Sequence, residues 1–287
     1  MKIRDRGMPD QHTSTVATSN WHAAACRDTI LGPPPGRLVW AGSMTQAPHP
    51  PLRTYYEQES DRSTWVRGLF DRTAGHYDRL ESIVGLGTGS WYRERALRAA
   101  GLEPGMRVVD VGTGTGLLAR AAAQIVGDPT LVTGVDPSPG MLENARVPAG
   151  VRLLSGSAER IPVADGSADF LCMGYALRHI SDLSVAAAEF HRVLRAGGRL
   201  CVLEITSPKG RLSRALVRTW FHGVVPRIAA AIAGRGDAPL LMRYYWDTIE
   251  ACVPPETILR TLSDAGFLDI ERQVDLKIFS AYHARKP

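Results

Sequence analysis

The chain has 287 residues, of which 44% are hydrophobic and 22% are charged, and its formal net charge is +5. This length fits one large domain, or one domain with an appendage, and the composition is that of an ordinary globular protein. The positive excess is mild, so no nucleic-acid partner is predicted, although an anionic membrane surface is permitted. No apolar run approaches the roughly 18 residues that span a bilayer.

Four cysteines are scattered along the chain, with no CxxC pair and no histidine at zinc spacing. This pattern predicts neither a disulfide framework nor a metal site, and it favours a reducing, cytoplasmic compartment. Cys172 and Cys201 lie in apolar runs, and we expect them to be small core residues. The N-terminal segment lacks the apolar core of a signal peptide, so no secretory signal is predicted.

Residues 1–60 differ in composition from the rest of the chain. They are rich in Thr, Ser, His and Gln, contain GPPPG at 32–36, and show no sustained apolar period. We predict a flexible leader here, followed by a single domain over 61–287. Within that domain, 61–105 is predicted to form an N-terminal helical cap. The mostly helical segment 208–251 is predicted to be an insert that covers the substrate as a lid.

Short apolar segments alternate with helical patterns through most of the domain. Strands are predicted at 107–111, 131–135, 151–155, 170–175, 199–205, 268–272 and 277–283. Helices are predicted at 63–73, 90–100, 117–125, 139–145, 183–194 and 255–265. Strands separated by helices favour right-handed βαβ units. The predicted fold class is therefore α/β, with a doubly wound, mostly parallel, seven-stranded Rossmann-like sheet covered by helices on both faces.

The first of the strands that alternate with helices runs into a glycine-rich loop, DVGTGTG at 110–116, and then into a helix. Glycines let the backbone turn sharply and approach a ligand, and the N–H groups at the helix start face that ligand. Asp136 ends the second strand, where a carboxylate can accept hydrogen bonds from both hydroxyls of a ribose. The segment therefore predicts a nucleoside cofactor.

Two cofactors fit this loop. The spacing Gly114-x-Gly116-x-x-Ala119 satisfies a dinucleotide fingerprint, which is typical of an NAD(P)-dependent oxidoreductase. A carboxylate at Asp110, taken to lie at the mouth of the loop, would repel a pyrophosphate but suits the ammonium and sulfonium groups of S-adenosyl-L-methionine. The local sequence favours S-adenosyl-L-methionine and leaves the dinucleotide open. A non-catalytic protein that keeps the fold is a third interpretation.

Further residues lie where a nucleoside would need them. The tripeptide Ser157-Ala158-Glu159 follows the third strand and can present a backbone N–H and a side chain to adenine, although it fits a simple turn equally well. Met141 lies early in the second helix, where it can pack on the adenine face or simply fill the core.

A series of motifs from Leu69 to the C terminus resembles one methyltransferase family. The motifs are LFDRTAGHYD at 69–78, YALRH at 175–179, RVLRAGGRL at 192–200 and DAGF at 264–267. On these motifs the chain resembles the ubiquinone/menaquinone biosynthesis C-methyltransferases, the UbiE/COQ5-like family. The resemblance implies a class I methyltransferase fold and transfer of a methyl group from S-adenosyl-L-methionine to a ring carbon of a quinone precursor or phenol.

The loop, its neighbours and the resemblance together yield a set of expected site residues. The cofactor-binding set is Asp110, Gly112, Thr113, Gly114, Thr115, Gly116, Asp136, Pro137, Met141, Ser157, Ala158 and Gly174. The resemblance implies that Tyr77, Arg178 and His179 face the acceptor. Arg178 would stabilise a phenolate or order a water, and His179 would act as a base at neutral pH. Tyr77 would hydrogen-bond the substrate or help to close the pocket.

Two departures from the family pattern leave the acceptor open. His179 stands where the family carries Asn, and Ala176 stands where it carries Gly. An O- or N-methyltransferase of a secondary metabolite or lipid head group is therefore the alternative within the same class.

The acceptor is expected to be a small or prenylated aromatic molecule. The apolar stretch 224–232 can admit a prenyl tail or pack on the sheet, and the aromatic residues 244–246 can line the pocket or the core. A prenylated acceptor would bring the protein into peripheral contact with a membrane, but no amphipathic basic helix stands out in the sequence. A homodimer is compatible with the sequence.

Overall fold

The structure is a computed structural model that describes residues 26–29, 46–84, 87–208, 210–233 and 236–287. The described strands are β1 (Cys26–Thr29), β2 (Val108–Val111), β3 (Val132–Asp136), β4 (Arg152–Ser155), β5 (Ala168–Gly174), β6 (Leu194–Ile205), β7 (Leu268–Asp275) and β8 (Phe279–Arg285). The described helices are α1 (Arg62–Thr73), α2 (Tyr77–Val84), α3 (Gly89–Ala99), α4 (Leu117–Val126), α5 (Pro139–Glu143), α6 (Leu183–Val193), α7 (Arg211–Thr219), α8 (Val225–Ala233), α9 (Asp237–Ala251) and α10 (Pro255–Asp264).

All the described strands belong to one sheet, in the order β1-β7-β8-β6-β5-β2-β3-β4. The strands from β6 to β4 in this order pair in parallel, whereas β8 pairs antiparallel with both β6 and β7. The strand order reverses at β2, because β3 and β4 lie on one side of it and β5 and β6 lie on the other. Ligands of such sheets bind at the carboxyl ends of the strands at this reversal, which is where the glycine-rich loop begins.

The predicted fold class is confirmed. The seven predicted strands form a mostly parallel, doubly wound sheet, with apolar clusters on both faces that involve α6 and α10 on one side and α3 and α4 on the other. Cys172 and Cys201 are fully buried, as expected for small core residues.

One strand was not predicted. Strand β1 lies inside the segment expected to be a flexible leader, and it pairs antiparallel with β7, with Cys26 opposite Val274 and Thr29 opposite Glu271. An edge strand of four residues is held by backbone hydrogen bonds and needs no apolar period, so the sequence pattern does not indicate it. The rest of that leader at 1–25 and 30–45 lies outside the described residues.

The packed domain begins earlier than predicted, because residues 46–60 contact it. The backbone N–H of Leu183 donates to the carbonyl of Gln46 at 2.9 Å, and that of Val253 donates to the carbonyl of Pro48 at 2.8 Å. The fully buried Arg62 donates to the carbonyl of His49 at 2.7 Å. These contacts are polar and distant along the chain, so composition alone placed the boundary too late.

The predicted cap and the predicted insert pack together. Helices α1, α2, α8 and α9 share an apolar cluster whose buried members include Leu69, Leu80, Ala229 and Leu241. Helix α7 buries none of its residues and continues through one π-helical turn, Trp220–Val224, into α8. Within the described ranges, no helix is long and apolar enough to cross a membrane.

Candidate active site

The glycine-rich loop turns through the left-handed region of backbone space. Gly112 has φ 69° and Gly114 has φ 55°. A Cβ on Gly112 would stand 2.6 Å from the Cβ of Ala176, whereas a Cβ on Gly114 would meet no heavy atom within 4 Å. Gly112 is therefore needed for close packing of the loop, and Gly114 is needed for the turn beside an open space.

The loop is tied to Asp136 at the end of β3. The N–H of Gly114 donates to one carboxylate oxygen of Asp136 at 2.8 Å, and the N–H of Ser138 donates to the other at 2.9 Å. Burial raises the pKa of Asp136 to about 6, although both backbone hydrogen bonds oppose the shift. The carboxylate borders a cavity, where it can accept hydrogen bonds from ligand hydroxyls.

This cofactor cavity has a volume of about 500 Å³ and lies at the carboxyl ends of β2, β3 and β5. The predicted cofactor residues that line it are Gly112, Gly114, Asp136, Pro137, Met141, Ser157, Ala158 and Gly174. Ser63, Val66 and Phe70 of α1 form part of the opposite wall. The wall combines a carboxylate for a ribose, an apolar side chain at Met141 for a base and a tight glycine turn, so these residues fit a nucleoside cofactor.

Four predicted cofactor residues do not line this cavity, namely Asp110, Thr113, Thr115 and Gly116. Asp110 is fully buried below the loop, where its carboxylate accepts a hydrogen bond from the Thr113 hydroxyl at 2.6 Å. Burial raises the pKa of Asp110 to about 7. The expectation that Asp110 lies at the mouth of the loop is therefore corrected: its side chain supports the loop from beneath.

Two carboxylates of the N-terminal motif hold the cap against the cofactor cavity, and sequence analysis did not single them out. Asp71 accepts hydrogen bonds from the N–H of Gly140 at 2.9 Å and from the hydroxyl of Ser138 at 2.5 Å. Asp78 accepts one from the hydroxyl of Thr115. The motif at 69–78 thus places one carboxylate on the start of α5 and one on the glycine-rich loop, and the signal for both was in that motif.

A second cavity, the acceptor cavity, has a volume of about 410 Å³. Most of its wall is aromatic or aliphatic: Leu80, Tyr92, Ile205, Pro208, Leu216, Val217, Trp220, Phe221, Met242, Trp246, Ile249, Ile278 and Phe279. Arg178 also borders it. Three tyrosines, Tyr77, Tyr175 and Tyr245, line both this cavity and the cofactor cavity. The two cavities therefore meet at these tyrosines.

Two local features distinguish the tyrosines at the junction of the two cavities. The hydroxyls of Tyr77 and Tyr245 are hydrogen-bonded at 2.5 Å. Tyr175 has φ 60°, a left-handed conformation that is rare for a bulky residue. Sequence analysis missed Tyr175, since a residue's φ cannot be deduced from its type, and it left Tyr245 between pocket and core.

Arg178 lies fully buried in the wall of the acceptor cavity. Its Nη1 donates to Glu204 at 2.5 Å, its Nε donates to the Thr248 hydroxyl at 3.1 Å, and its guanidinium carbon lies 5.1 Å from the ring centre of Tyr245. Burial raises the pKa of Glu204, and the charge of Arg178 opposes that shift. The Nη2 of Arg178 is buried and has no hydrogen-bond partner among the described residues, so the protein leaves this cationic donor unused.

His179 lines the cofactor cavity and is absent from the wall of the acceptor cavity. Its Nδ1 lies 3.4 Å from the Tyr244 hydroxyl oxygen, and its Nε2 is buried without a hydrogen-bond partner in the described part of the chain. Burial and the charge of Arg178 lower the pKa of His179 well below its usual value. The expected Arg178–His179 pair is thus divided between the two cavities.

Residues 57–284 match the sequence model of the ubiE/COQ5 methyltransferase family. The chain belongs to this family. The ubiquinone/menaquinone biosynthesis C-methyltransferase of Shewanella woodyi is 30% identical over 225 residues, which cover 76% of this chain and 88% of that protein. The demethylmenaquinone methyltransferase of Deinococcus radiodurans is 33% identical over 229 residues, which cover 78% of this chain and 92% of that protein.

Solved structures share the fold of this family member. A Thermotoga maritima protein described as an S-adenosylmethionine-dependent methyltransferase has a TM-score of 0.53 at 21% identity, covering 77% of this chain and 99% of that one. Phosphoethanolamine N-methyltransferase 2 of Haemonchus contortus, solved with S-adenosyl-L-methionine, has a TM-score of 0.51 at 19% identity, covering 68% and 52%. The family and the fold confirm an S-adenosyl-L-methionine-dependent methyltransferase, and they do not favour the dinucleotide alternative.

Proposed function

We propose that this enzyme methylates a ring carbon of a hydroxylated aromatic acceptor, a quinone precursor that carries an apolar tail. The observation that carries the proposal is the apolar acceptor cavity, which has one cation in its wall and meets the cofactor cavity at three tyrosines. The names of the quinone-biosynthesis relatives support the same acceptor class.

S-adenosyl-L-methionine supplies an electrophilic methyl group when it is bound. Asp136 would hold the ribose hydroxyls, Met141 and Ala158 would pack on the base, and the turn at Gly114 leaves room for the ligand. Asp110, Thr113, Thr115 and Gly116 would act by keeping the loop in shape rather than by forming the wall.

The acceptor ring would bind at the tyrosine junction, with its tail in the acceptor cavity. The segment 208–251 would be the lid over this tail, since its residues Leu216, Val217, Trp220 and Ile249 supply much of the cavity wall. An apolar wall stabilises a tail by removing it from water, at about 0.8 kcal/mol for each buried CH₂ group.

Arg178 would activate the acceptor. A ring carbon becomes nucleophilic when a hydroxyl on the ring loses its proton, and a cation beside that hydroxyl favours the phenolate. The buried Nη2 of Arg178 can donate a hydrogen bond to the phenolate oxygen, while Glu204 and Thr248 fix the guanidinium plane.

His179 and Tyr77 would orient ligands. Because the pKa of His179 is well below its usual value, its imidazole is neutral at physiological pH and resists protonation, which argues against the role of general base. A neutral ring with a free Nε2 can hydrogen-bond a ligand in the cofactor cavity. Tyr77, joined to Tyr245, would close the junction around the acceptor ring.

Mass spectrometry of methyl transfer tests the proposal. The purified enzyme is incubated with S-adenosyl-L-methionine and one of three acceptors: a prenylated demethylnaphthoquinol, the same ring without its tail, or phosphoethanolamine. Fragmentation of the product locates the methyl group. We expect methylation of the ring carbon, with a higher kcat/KM for the tailed acceptor. Methylation of a hydroxyl oxygen or of the amine, with an unmodified ring carbon, would contradict the proposal.

A pair of matched variants tests where the tail binds. Val217 is half-buried in the acceptor cavity wall, so Val217→Trp should fill part of the cavity and raise KM for the tailed acceptor more than for the tail-less ring. Val185, on α6, is 41% exposed and lines neither cavity, so Val185→Trp should leave the ratio of the two KM values unchanged. An equal change in both KM values for Val217→Trp would mean that the tail binds elsewhere.

A further inference from the structure

We infer that α7, the start of α3 and the turn between β7 and β8 together form a docking surface for an anionic lipid bilayer. This surface, the mouth surface, consists of Trp91, Leu212, Leu216 and Leu276 with the cationic residues beside them. Each segment that carries these residues also contributes to the wall of the acceptor cavity. The inference deepens the proposed function and rests on it, because a bilayer is where an acceptor with a long apolar tail resides.

Exposure singles out these four side chains. Leu212 is 75% exposed, Leu276 70%, Leu216 64% and Trp91 59%. Among the described residues, no other exposed large hydrophobic side chain exceeds the 42% of Leu268. Apolar side chains scattered singly on a surface need no explanation, but the most exposed ones gathered at one place mark an interaction site.

The contacts bring three distant segments to one opening. Leu216 itself lines the acceptor cavity, as do Gly89, two residues before Trp91, and Ile278, two residues after Leu276. Arg95 joins α3 to the end of β7 through Asp275, at 3.6 Å, and its guanidinium carbon lies 5.3 Å from the ring centre of Trp91. The three segments that carry the exposed apolar side chains therefore meet at the acceptor cavity.

Helix α7, contrary to the expectation from the sequence, is an amphipathic basic helix with the form of an interfacial helix. Leu212 and Leu216 are one turn apart and share a face, whereas Arg211, Arg214 and Arg218 lie on the other side of the helix. None of its residues is buried, so the fold does not use its apolar face for packing. A short helix with an apolar face and arginines opposite lies in the plane of a membrane surface, with its leucines in the acyl region.

The charges around the opening favour an anionic surface. Lys277 is an exposed cation next to Leu276, and Arg211 and Arg218 are exposed cations on the polar side of α7, from which their long side chains can reach lipid head groups. The nearby acidic groups already have cationic partners, since Glu250 accepts from Arg214 at 2.8 Å and Asp275 pairs with Arg95. Each unpaired cation near an anionic leaflet adds electrostatic attraction.

A bilayer explains why apolar exposure and the cavity coincide. Leu216 belongs both to the exposed apolar face and to the cavity wall, so a tail can pass from lipid into the cavity without crossing water. The cations beside these apolar side chains suit a layer of lipid head groups above acyl chains.

Vesicle flotation tests the inference with the full chain and no acceptor. Vesicles of phosphatidylcholine alone are compared with vesicles that also contain phosphatidylglycerol. We expect the protein to float with the anionic vesicles, to float less with the neutral ones, and to be released as salt is raised. The double variant Leu212→Gln, Leu276→Gln should weaken the partition coefficient about tenfold. Leu268→Gln, at the opposite end of β7 from Leu276, is the matched control and should float like the parent.

The outcomes separate this inference from the proposed function. No binding to anionic vesicles, or equal loss for the double variant and for Leu268→Gln at unchanged Tm, would overturn the docking surface. A parent dimer in analytical ultracentrifugation that the double variant abolishes, with vesicle binding unchanged, would assign the mouth surface to a second copy of the chain instead. Methylation of the tailed acceptor dissolved in detergent needs no membrane, so its failure would overturn the proposed function and not the docking surface.

Discussion

The hydroxyl oxygens of Tyr77 and Tyr245 lie 2.5 Å apart, at the place where the cofactor cavity meets the acceptor cavity. Tyr77 belongs to α2 and Tyr245 to α9, so this hydrogen bond joins the N-terminal cap to the insert, as the pair Arg72–Asp237 also does. Burial raises the pKa of both phenols above the usual value, so both stay protonated at physiological pH. Two protonated hydroxyls share one hydrogen bond, which leaves one hydrogen free to be donated to a ligand.

This pair predicts a non-additive loss of activity. Tyr77→Phe and Tyr245→Phe should each lower kcat/KM about tenfold, because each breaks the same hydrogen bond, worth about 1 kcal/mol. The double variant should have a kcat/KM no lower than that of the more impaired single variant. Steady-state kinetics measure the cycle, and Tyr56→Phe, outside both cavities, is the control. Losses that simply add would show that the two hydroxyls act independently.

The glycine turn predicts a selective loss of cofactor affinity. Gly114 and Gly105 both have left-handed φ values, 55° and 79°, and a Cβ on either would meet nothing within 4 Å. Alanine should therefore destabilise the fold at either position by a similar amount, about 1 kcal/mol. Only Gly114 lines the cofactor cavity, so only Gly114→Ala should weaken S-adenosylhomocysteine binding, by about tenfold.

Urea unfolding and calorimetric titration separate the two effects. Equal shifts in the urea midpoint with unequal binding would confirm the prediction. If Gly105→Ala weakened binding as much as Gly114→Ala, backbone strain and not the cavity would be the cause.

The sequence predicted the alternating elements and the cofactor wall for one physical reason. In a parallel sheet the carboxyl ends of neighbouring strands meet at one edge, so residues that follow separate strands come together, as Gly114, Asp136 and Gly174 do. The positions of these residues follow from the order of the strands in the sheet. The strands themselves can be predicted, because short apolar segments are recognisable in the sequence.

The side-chain direction at Asp110 could not be predicted. All four residues of β2 are buried, so the strand has no alternation of apolar and polar residues to show which way each side chain points. The hydrogen-bond partners of Arg178 could not be predicted from the sequence for a different reason. Glu204 and Thr248 lie 26 and 70 residues further along the chain. The pairing of β5 with β6 brings Glu204 to the guanidinium, and the contact of α9 with the turn 177–179 brings Thr248 to it.

Asp136 predicts that cofactor affinity depends on pH. Its pKa is raised to about 6, so the carboxylate that accepts ribose hydroxyls forms only as pH rises through that value. Affinity for S-adenosylhomocysteine should be constant above about pH 7 and fall below pH 6, by at most about tenfold per pH unit. Calorimetric titration with S-adenosylhomocysteine from pH 5 to pH 8 measures this affinity.

Two variants assign that pH dependence. Asp136→Asn should bind weakly at every pH, with no transition near pH 6. Asp110 also titrates late, with a pKa raised to about 7, but it lies below the loop. Asp110→Asn should therefore keep the transition near pH 6, and its loss in that variant would assign the effect to Asp110 instead.

Arg178 predicts a change in the pH profile of catalysis, provided that the right substitution is chosen. Arg178→Ala would leave Glu204 buried without its cation, at a cost in stability of about 3–5 kcal/mol, and would mix folding with chemistry. Arg178→Lys keeps a positive charge for Glu204 but cannot also place a donor at the position of Nη2.

We therefore expect Arg178→Lys to lower kcat about tenfold or more while the urea midpoint and S-adenosylhomocysteine affinity change little. If Nη2 stabilises the phenolate, the rising limb of the kcat–pH profile should move to higher pH, because the acceptor hydroxyl loses a charge-assisted partner. A purely structural role for Arg178 would lower kcat without moving that limb. Glu204→Gln keeps an acceptor for Nη1 and removes a negative charge beside the guanidinium, so it should not move the limb to higher pH. It should lose stability, because the buried guanidinium then lacks its carboxylate.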